Sequence, residues 1–168
     1  MYQTRPLPEG IFCHSDKLDA WNMAKNTDIV NKMDSKQHMN ALRLWKFVGQ
    51  PIEEYLKKYL SISSGFRNPF VNKLAGGAND SKHLTGCAFD INILGMSAKD
   101  LFNTIVLGKI KYQSNPILNY VDEIIFERDL QGNQWVHIQV TDNPRKQMYV
   151  KSFTCGKTAY IQVYGQIV

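Results

Sequence analysis

The chain contains four histidines: His14, His38, His83 and His137. Two of them belong to segments that also carry a carboxylate on the polar side of an apolar alternation. In residues 86–93, Cys87, Phe89, Ile91 and Ile93 face one way and Ala88, Asp90 and Asn92 the other, which is a strand pattern. His83 is expected to begin that strand. In residues 134–140, Val136, Ile138 and Val140 share one face, and Trp135, His137 and Gln139 share the other. A carboxylate such as Asp90, on the non-apolar side of a half-buried strand, needs water, a partner or a metal. Two imidazoles, one carboxylate and an open position describe a catalytic zinc site, where the pKa of water falls to about 7. The residues alone leave the alternative open: a packed histidine and a salt-bridged Asp90.

Metal-assisted hydrolysis also needs a proton acceptor within reach. Residues 122–127 and 134–140 flank Gln131-Gly132-Asn133 and read as a hairpin. If Ile124 and Phe126 share the core with Val136 and Ile138, a one-residue slip would turn the whole apolar set outward. Glu127 then lies on the face of Trp135 and His137, opposite one of them or diagonal. Diagonal neighbours are about 7–8 Å apart, within reach of long side chains or a bridging ligand. Glu123 shares that face and is the fallback base. Cys87 has the chemistry of a zinc ligand but points away from Asp90, so it reads as a small buried hydrophobe.

These side chains must be positioned by a fold, and the pattern outlines one. Met39, Leu42, Trp45 and Val48 recur at a helical spacing. Gly49-Gln50-Pro51 is expected to break or kink that helix and to open a second one, whose apolar face is Ile52, Tyr55, Leu56 and Tyr59. Residues 60–64 suit a short strand, and residues 65–69 a loop in which Pro69 keeps Asn68 extended. One or two helical turns at 69–74 and a turn-rich loop at 76–81 follow. Ser97 and Asp100 resemble a capping box for a helix with Leu101, Phe102, Ile105 and Val106 inward, ended by Gly108. Strands at 148–153 and 159–164 finish the chain. The expected class is α+β, with a small, largely antiparallel sheet flanked by helices and the site on the sheet face. Residues 1–168 read as one domain, with a poorly defined segment at 1–35 and a C-terminal extension strand at 154–168.

With 168 residues, the chain can bury roughly 68–70% of its unfolded surface, so no disulfide or metal is needed merely to fold. Net charge is +5 and the pI about 9.1, which suits an anionic partner or simply a basic solvated surface. The charge is dispersed, its densest cluster being Lys57-Lys58, and a nucleic-acid module would carry a basic stripe. Cys13, Cys87 and Cys155 cannot all pair within one chain, and none forms a CxxC, which argues for folding in a reducing compartment. No apolar signal core and no run of about 18 apolar residues is present. The expectation is a soluble chain folded in a reducing compartment, without a classical export signal.

Two longer strings carry a family resemblance. SSGFRNPFVNKLAGGANDSKHLTGCAFDI (residues 63–91) and EIIFERDLQGNQWVHIQV (residues 123–140) resemble the zinc D-alanyl-D-alanine carboxypeptidases and related peptidoglycan endopeptidases. The branch most alike is rich in bacteriophage lysis enzymes. Its pattern is S-G-[YF]-R, a Gly-Gly loop, S-x-H-x-x-G-x-A-x-D, then a Glu in an apolar strand followed by W-x-H. The resemblance covers about residues 11–153. It implies His83, Asp90 and His137 as ligands of one zinc ion per chain, and Arg67 as the group that binds the substrate carboxylate or polarises its carbonyl. Ser81 would lie near the substrate, where the residue alone also suits a turn or cap, and Trp135 would wall the site. Many members of the wider family place the base three residues before the last histidine. Gln134 stands there, so Glu127 is the implied base. The implied activity is peptide hydrolysis in peptidoglycan stem peptides by a monomer acting on the wall after release, with no nucleic acid or transmembrane segment involved. The rival is a wall-binding or virion structural module that keeps the zinc fold without turnover.

Overall fold

Capping chemistry opens the second and third helices of the computed structural model, which describes residues 3–154 and 157–167. Cys155 lies outside the described residues. Helix α1 is Glu9–Phe12, and α2 is Asp16–Lys25, opened by Ser15, whose side chain accepts from the Leu18 amide, and closed by Asn26 in the left-handed region. Two short helices thus lie within the segment expected to be poorly defined, and Phe12, Leu18 and Met33 are buried. Only Leu18 is buried on α2, so no apolar stripe existed for periodicity to detect.

Helix α3, Ser35–Leu44, starts with a full capping box between Asp34 and Gln37. It buries Ala41 and Leu44, followed by Trp45, Val48 and Ile52, whereas Met39 and Leu42 are exposed. A strict three-residue recurrence drifts off a 3.6-residue period, and this corrects the expected face. The break expected at Gly49-Gln50-Pro51 is instead a π-turn, Trp45–Gly49, running into α4, Gln50–Leu56. A wider turn accommodates the proline's missing N–H and its bulk without ending the helix. Tyr55 and Tyr59 are exposed. Beside Ile52, Glu53 also turns inward and is fully buried; it pairs with Arg5 at 2.8 Å and accepts the Leu60 amide at 2.8 Å.

The remaining elements are β1 (Leu60–Ser64), α5 (Pro69–Leu74), a 3-10 turn (Lys82–Thr85), β2 (Ala88–Ile93), α6 (Ala98–Val106), β3 (Lys111–Tyr112) and β4 (Asn115–Pro116). A second 3-10 turn (Ile117–Asn119), β5 (Glu123–Arg128), β6 (Gln134–Gln139), β7 (Gln147–Thr154) and β8 (Lys157–Gln162) complete the order. Six strands form one sheet in the order β1-β2-β6-β5-β7-β8, and β3 and β4 make a separate ribbon. Every pairing in the large sheet is antiparallel except β5 with β7. The class is α+β, as expected.

The hairpin register is the one the apolar pattern demands: Ile124 pairs with Ile138, Phe126 with Val136 and Glu127 with Trp135. On the inner face Phe89, Ile91, Ile124, Val136 and Ile138 pack into one core with Leu101, Phe102 and Ile105 of α6 and with Leu44, Trp45, Val48 and Ile52. Ser97 caps α6 as expected, accepting from the Asp100 amide at 3.0 Å and donating to its carboxylate at 2.6 Å. Cys87 packs against the core but is only half-buried, because it sits at the strand's entrance. The opposite sheet face is left for the site. Among the described residues no helix is long and apolar enough to cross a membrane.

Candidate active site

The pairing of β2 with β6 sets Asp90 directly opposite His137. His83 reaches the same point from the 3-10 turn Lys82–Thr85 rather than from the strand it was expected to begin. Gly86, at φ 74°, turns the chain there, and a Cβ on it would lie 2.5 Å from the Gln37 carbonyl oxygen, so only glycine fits. Gly65 is equally constrained: a Cβ would lie 2.4 Å from the Phe12 carbonyl oxygen. That close approach fixes the Gly65 carbonyl, which accepts from His83 Nδ1 at 2.6 Å.

The tautomer follows. A carbonyl can only accept, so Nδ1 carries the proton and Nε2 presents a lone pair. Burial lowers the His83 pKa and keeps the ring neutral, despite the opposing pull of Asp90. Nε2 lies 3.5 Å from Asp90 Oδ2, two electron-rich atoms face to face. His137 Nδ1 lies 2.8 Å from Asp90 Oδ1. Burial works against charge on both His137 and Asp90. The contact with Asp90 nevertheless raises the His137 pKa, and the two histidines hold the Asp90 carboxyl well below the usual range. Gln139 lines the same cleft as His137, and its amide nitrogen donates to Asp122 at 2.9 Å. One ligand atom from each of His83, Asp90 and His137 lies within 4.8 Å of the others, and all three residues are buried.

A cleft of about 920 Å³ opens over this cluster. Arg67, Ser81, Glu127 and Trp135 all line it with His83, Asp90 and His137, so the expected ligand, base and substrate residues meet in one place. Arg67 donates from Nη2 to Asp90 Oδ2 at 3.0 Å and from Nε to the Ser64 hydroxyl at 2.8 Å. Asn68 is extended, as expected, and caps α5. Ser81 precedes the 3-10 turn but makes no side-chain capping bond. Trp135 is half-buried beside Glu127.

A model of the peptidase M15 family matches residues 16–112, more than half of the chain. The chain belongs to the peptidase M15 family. No curated protein matches it. M15 peptidases are zinc-dependent and act on peptidoglycan-type substrates. The matched span carries Arg67, Ser81, His83 and Asp90. Glu127, Trp135 and His137 lie beyond that span and are brought beside Asp90 by the pairing of β2, β6 and β5.

The residues fit zinc. A neutral imidazole lone pair opposed to a carboxylate oxygen is an arrangement that a cation between them resolves. His83 has an outer partner that fixes its ring, the Gly65 carbonyl, as ligating histidines usually do. The structure adds residues to the M15 cleft that the sequence reading passed over: Asp122, Gln139, Arg145, Tyr149, Lys151 and Tyr160. The alternation of β7 and β8 marks which of their residues share a face. It does not say that β7 docks parallel to β5, and without that pairing Tyr149, Lys151 and Tyr160 had no location.

Asp122 anchors the cleft rim. It is buried and accepts from the Arg145 guanidinium at 2.9 and 2.6 Å, from the Arg145 amide at 3.0 Å and from Gln139. Chiefly through Arg145, and against burial, its carboxyl is held well below the usual range. A depressed carboxyl pKa stabilises the fold above the unfolded value and loses that contribution as pH falls. Asp122→Asn should therefore lower Tm at pH 7 by roughly 2–4 °C, a modest figure because Arg145 is half-exposed and screened. The gap from wild type should close as pH drops below about 4, the ordinary aspartate value. Thermal melts of both proteins across pH check this, and a constant gap would contradict it.

Proposed function

We propose that the protein is a zinc peptidase that cuts peptidoglycan stem peptides, at a D-Ala-D-Ala or an L-Ala-D-Glu type bond, as a phage-type wall-lysis enzyme holding one zinc ion per chain. The observation that carries this reading is the convergence of His83, Asp90 and His137 at the floor of a cleft whose wall includes Glu127. Zinc held by those three residues supplies a Lewis acid that polarises a carbonyl and acidifies water. The chain's own groups do the rest. Glu127 takes a proton from the attacking water and returns it to the leaving amine. Arg67 binds the substrate carboxylate or the developing oxyanion. None of the described residues bonds its Nη1, so that nitrogen remains for substrate while Nε and Nη2 fix the fork. Ser81 and Trp135 contact the stem peptide from the cleft walls. Two free thiols, Cys13 and Cys87, support synthesis in a reducing bacterial cytoplasm, with action on the wall after release by another factor. The net charge of +5 favours approach to an anionic wall.

The test is incubation of zinc-loaded protein with defined muropeptides and mass spectrometry of the products. Loss of a terminal D-alanine identifies a carboxypeptidase, and an internal cut an endopeptidase. Zinc binding with no product from any stem peptide would return the chain to a wall-binding or virion role. Arg67→Lys keeps the charge but loses the planar fork. Turnover is expected to fall about tenfold or more, short of the 10²–10³ typical of a fully lost oxyanion donor. Zinc content should be unchanged. Wild-type kinetics in this variant would remove Arg67 from the site.

A further inference from the structure

Strand β7 pairs with β5 in parallel, with Ile125 beside Tyr149 and Phe126 beside Val150. One step further along, Lys151 stands beside Glu127, its Nζ 2.6 Å from Oε2. Both side chains are withdrawn from solvent, 19% and 11% exposed. The ammonium lies 5.6 Å over the Trp135 ring, and on the other side Lys151 pairs across the sheet with Tyr160. Trp135, Glu127, Lys151 and Tyr160 thus form one row across four strands, all lining the cleft.

Glu127 has two oxygens with different surroundings. Oε2 is taken by Lys151, and none of the described residues hydrogen-bonds Oε1. The terminal torsion of a glutamate is broad, so an untethered carboxylate would present either oxygen over a range of directions. A misplacement of about 1 Å at a reacting group can lower a rate up to about a hundredfold. We propose that Lys151 is a positioning residue for hydrolysis: its bond to Oε2 holds the Glu127 carboxylate so that Oε1 is the atom that takes the water proton and delivers it to the leaving amine. This rests on Glu127 being the base. The aromatic walls, Trp135 and Tyr160, keep the lysine stem in place.

The experiment compares Lys151→Met, Lys151→Arg, Glu127→Gln and the double variant Glu127→Gln/Lys151→Met, each assayed for kcat, KM, zinc content and Tm on the stem peptide cut by wild type. For Lys151→Met, kcat should fall by about tenfold to a hundredfold. KM should stay within about twofold, since the interaction serves the transition state and not ground-state binding. Zinc should be retained, and Lys151→Arg should recover most of the rate. In the Glu127→Gln background, Lys151→Met should cause no further fall, a comparison that stands even if the single variant folds poorly. A normal kcat in Lys151→Met overturns the proposal. So does a raised KM with kcat intact, which would make Lys151 a substrate-binding cation, and so does an equal loss in the Glu127→Gln background. Activity that survives Glu127→Gln overturns the base assignment itself. Activity lost in Glu127→Gln yet untouched by Lys151→Met overturns only the role of Lys151.

Discussion

Glu127→Gln is expected to lower turnover at least about a hundredfold, the usual scale for loss of a general base, with zinc and fold retained. The substitution keeps the shape and one acceptor oxygen but removes the proton acceptor. Its neighbours define the control variants. Gln134 stands where many members of the wider family carry the base, but it shares the parity of Val136 and Ile138 at the exposed start of β6. Its side chain belongs to the sheet face away from the cleft, so even a carboxylate there would not reach the substrate. Gln134→Ala should leave turnover near wild type. Glu123 lies on the cleft face opposite Gln139 and is bound by Arg145 at 3.3 Å. Burial raises its pKa, so it has some character of a base, and Glu123→Gln is the decisive comparison. Near-full activity in Glu127→Gln with activity abolished in Glu123→Gln would transfer the role two residues along the same strand. Kinetics on a defined muropeptide distinguish the two.

His83→Ala and His137→Ala are each expected to abolish stoichiometric zinc, and turnover with it. Wild type should hold about one ion per chain, since a three-ligand open site binds one. Removing an outer partner of a ligating histidine typically weakens a metal about 10–100-fold, and removing the ligand itself should exceed that. The fold should survive in His83→Ala, because Asp90 keeps its bonds to His137 and Arg67. Loss of metal can then be told apart from unfolding. Elemental analysis with circular dichroism checks both, and full zinc in either variant would refute the ligand set.

The parts of the site legible in the sequence are those governed by local parity. Alternation on β2, β5 and β6 put Asp90, His137, Glu127 and Trp135 on one face, and the apolar partners Ile124 and Ile138 set the register. What parity does not carry is which strands become neighbours across a long connection, so Lys151 and Tyr160 stayed invisible. His83 escaped the strand pattern because Gly86 reverses the chain between it and Ala88. Helix α2 was hidden by the opposite cause: the Ser15 cap marks it, while almost nothing apolar does. The misjudged face of α3 shows that a few evenly spaced apolar residues, such as Met39 and Leu42, can lie on the solvent side when the packing that matters runs through Ala41 and Leu44.

The parallel contact between β5 and β7 also orders events during folding. The β5–β6 hairpin closes over a few residues, a microsecond step at low entropic cost. β7 must first carry the chain past β6 and then dock on the far edge of β5, a non-local pairing of the kind that forms slowly. Until it does, β5 presents an unpaired edge, and Glu127 has Trp135 opposite it but neither Lys151 nor Tyr160. The metal-binding floor waits on a pairing no more local, since Asp90 meets His137 across 47 residues; the hairpin alone therefore holds neither the ligand set nor the tethered base, and the cleft is complete only when β2 and β7 have docked on its two edges.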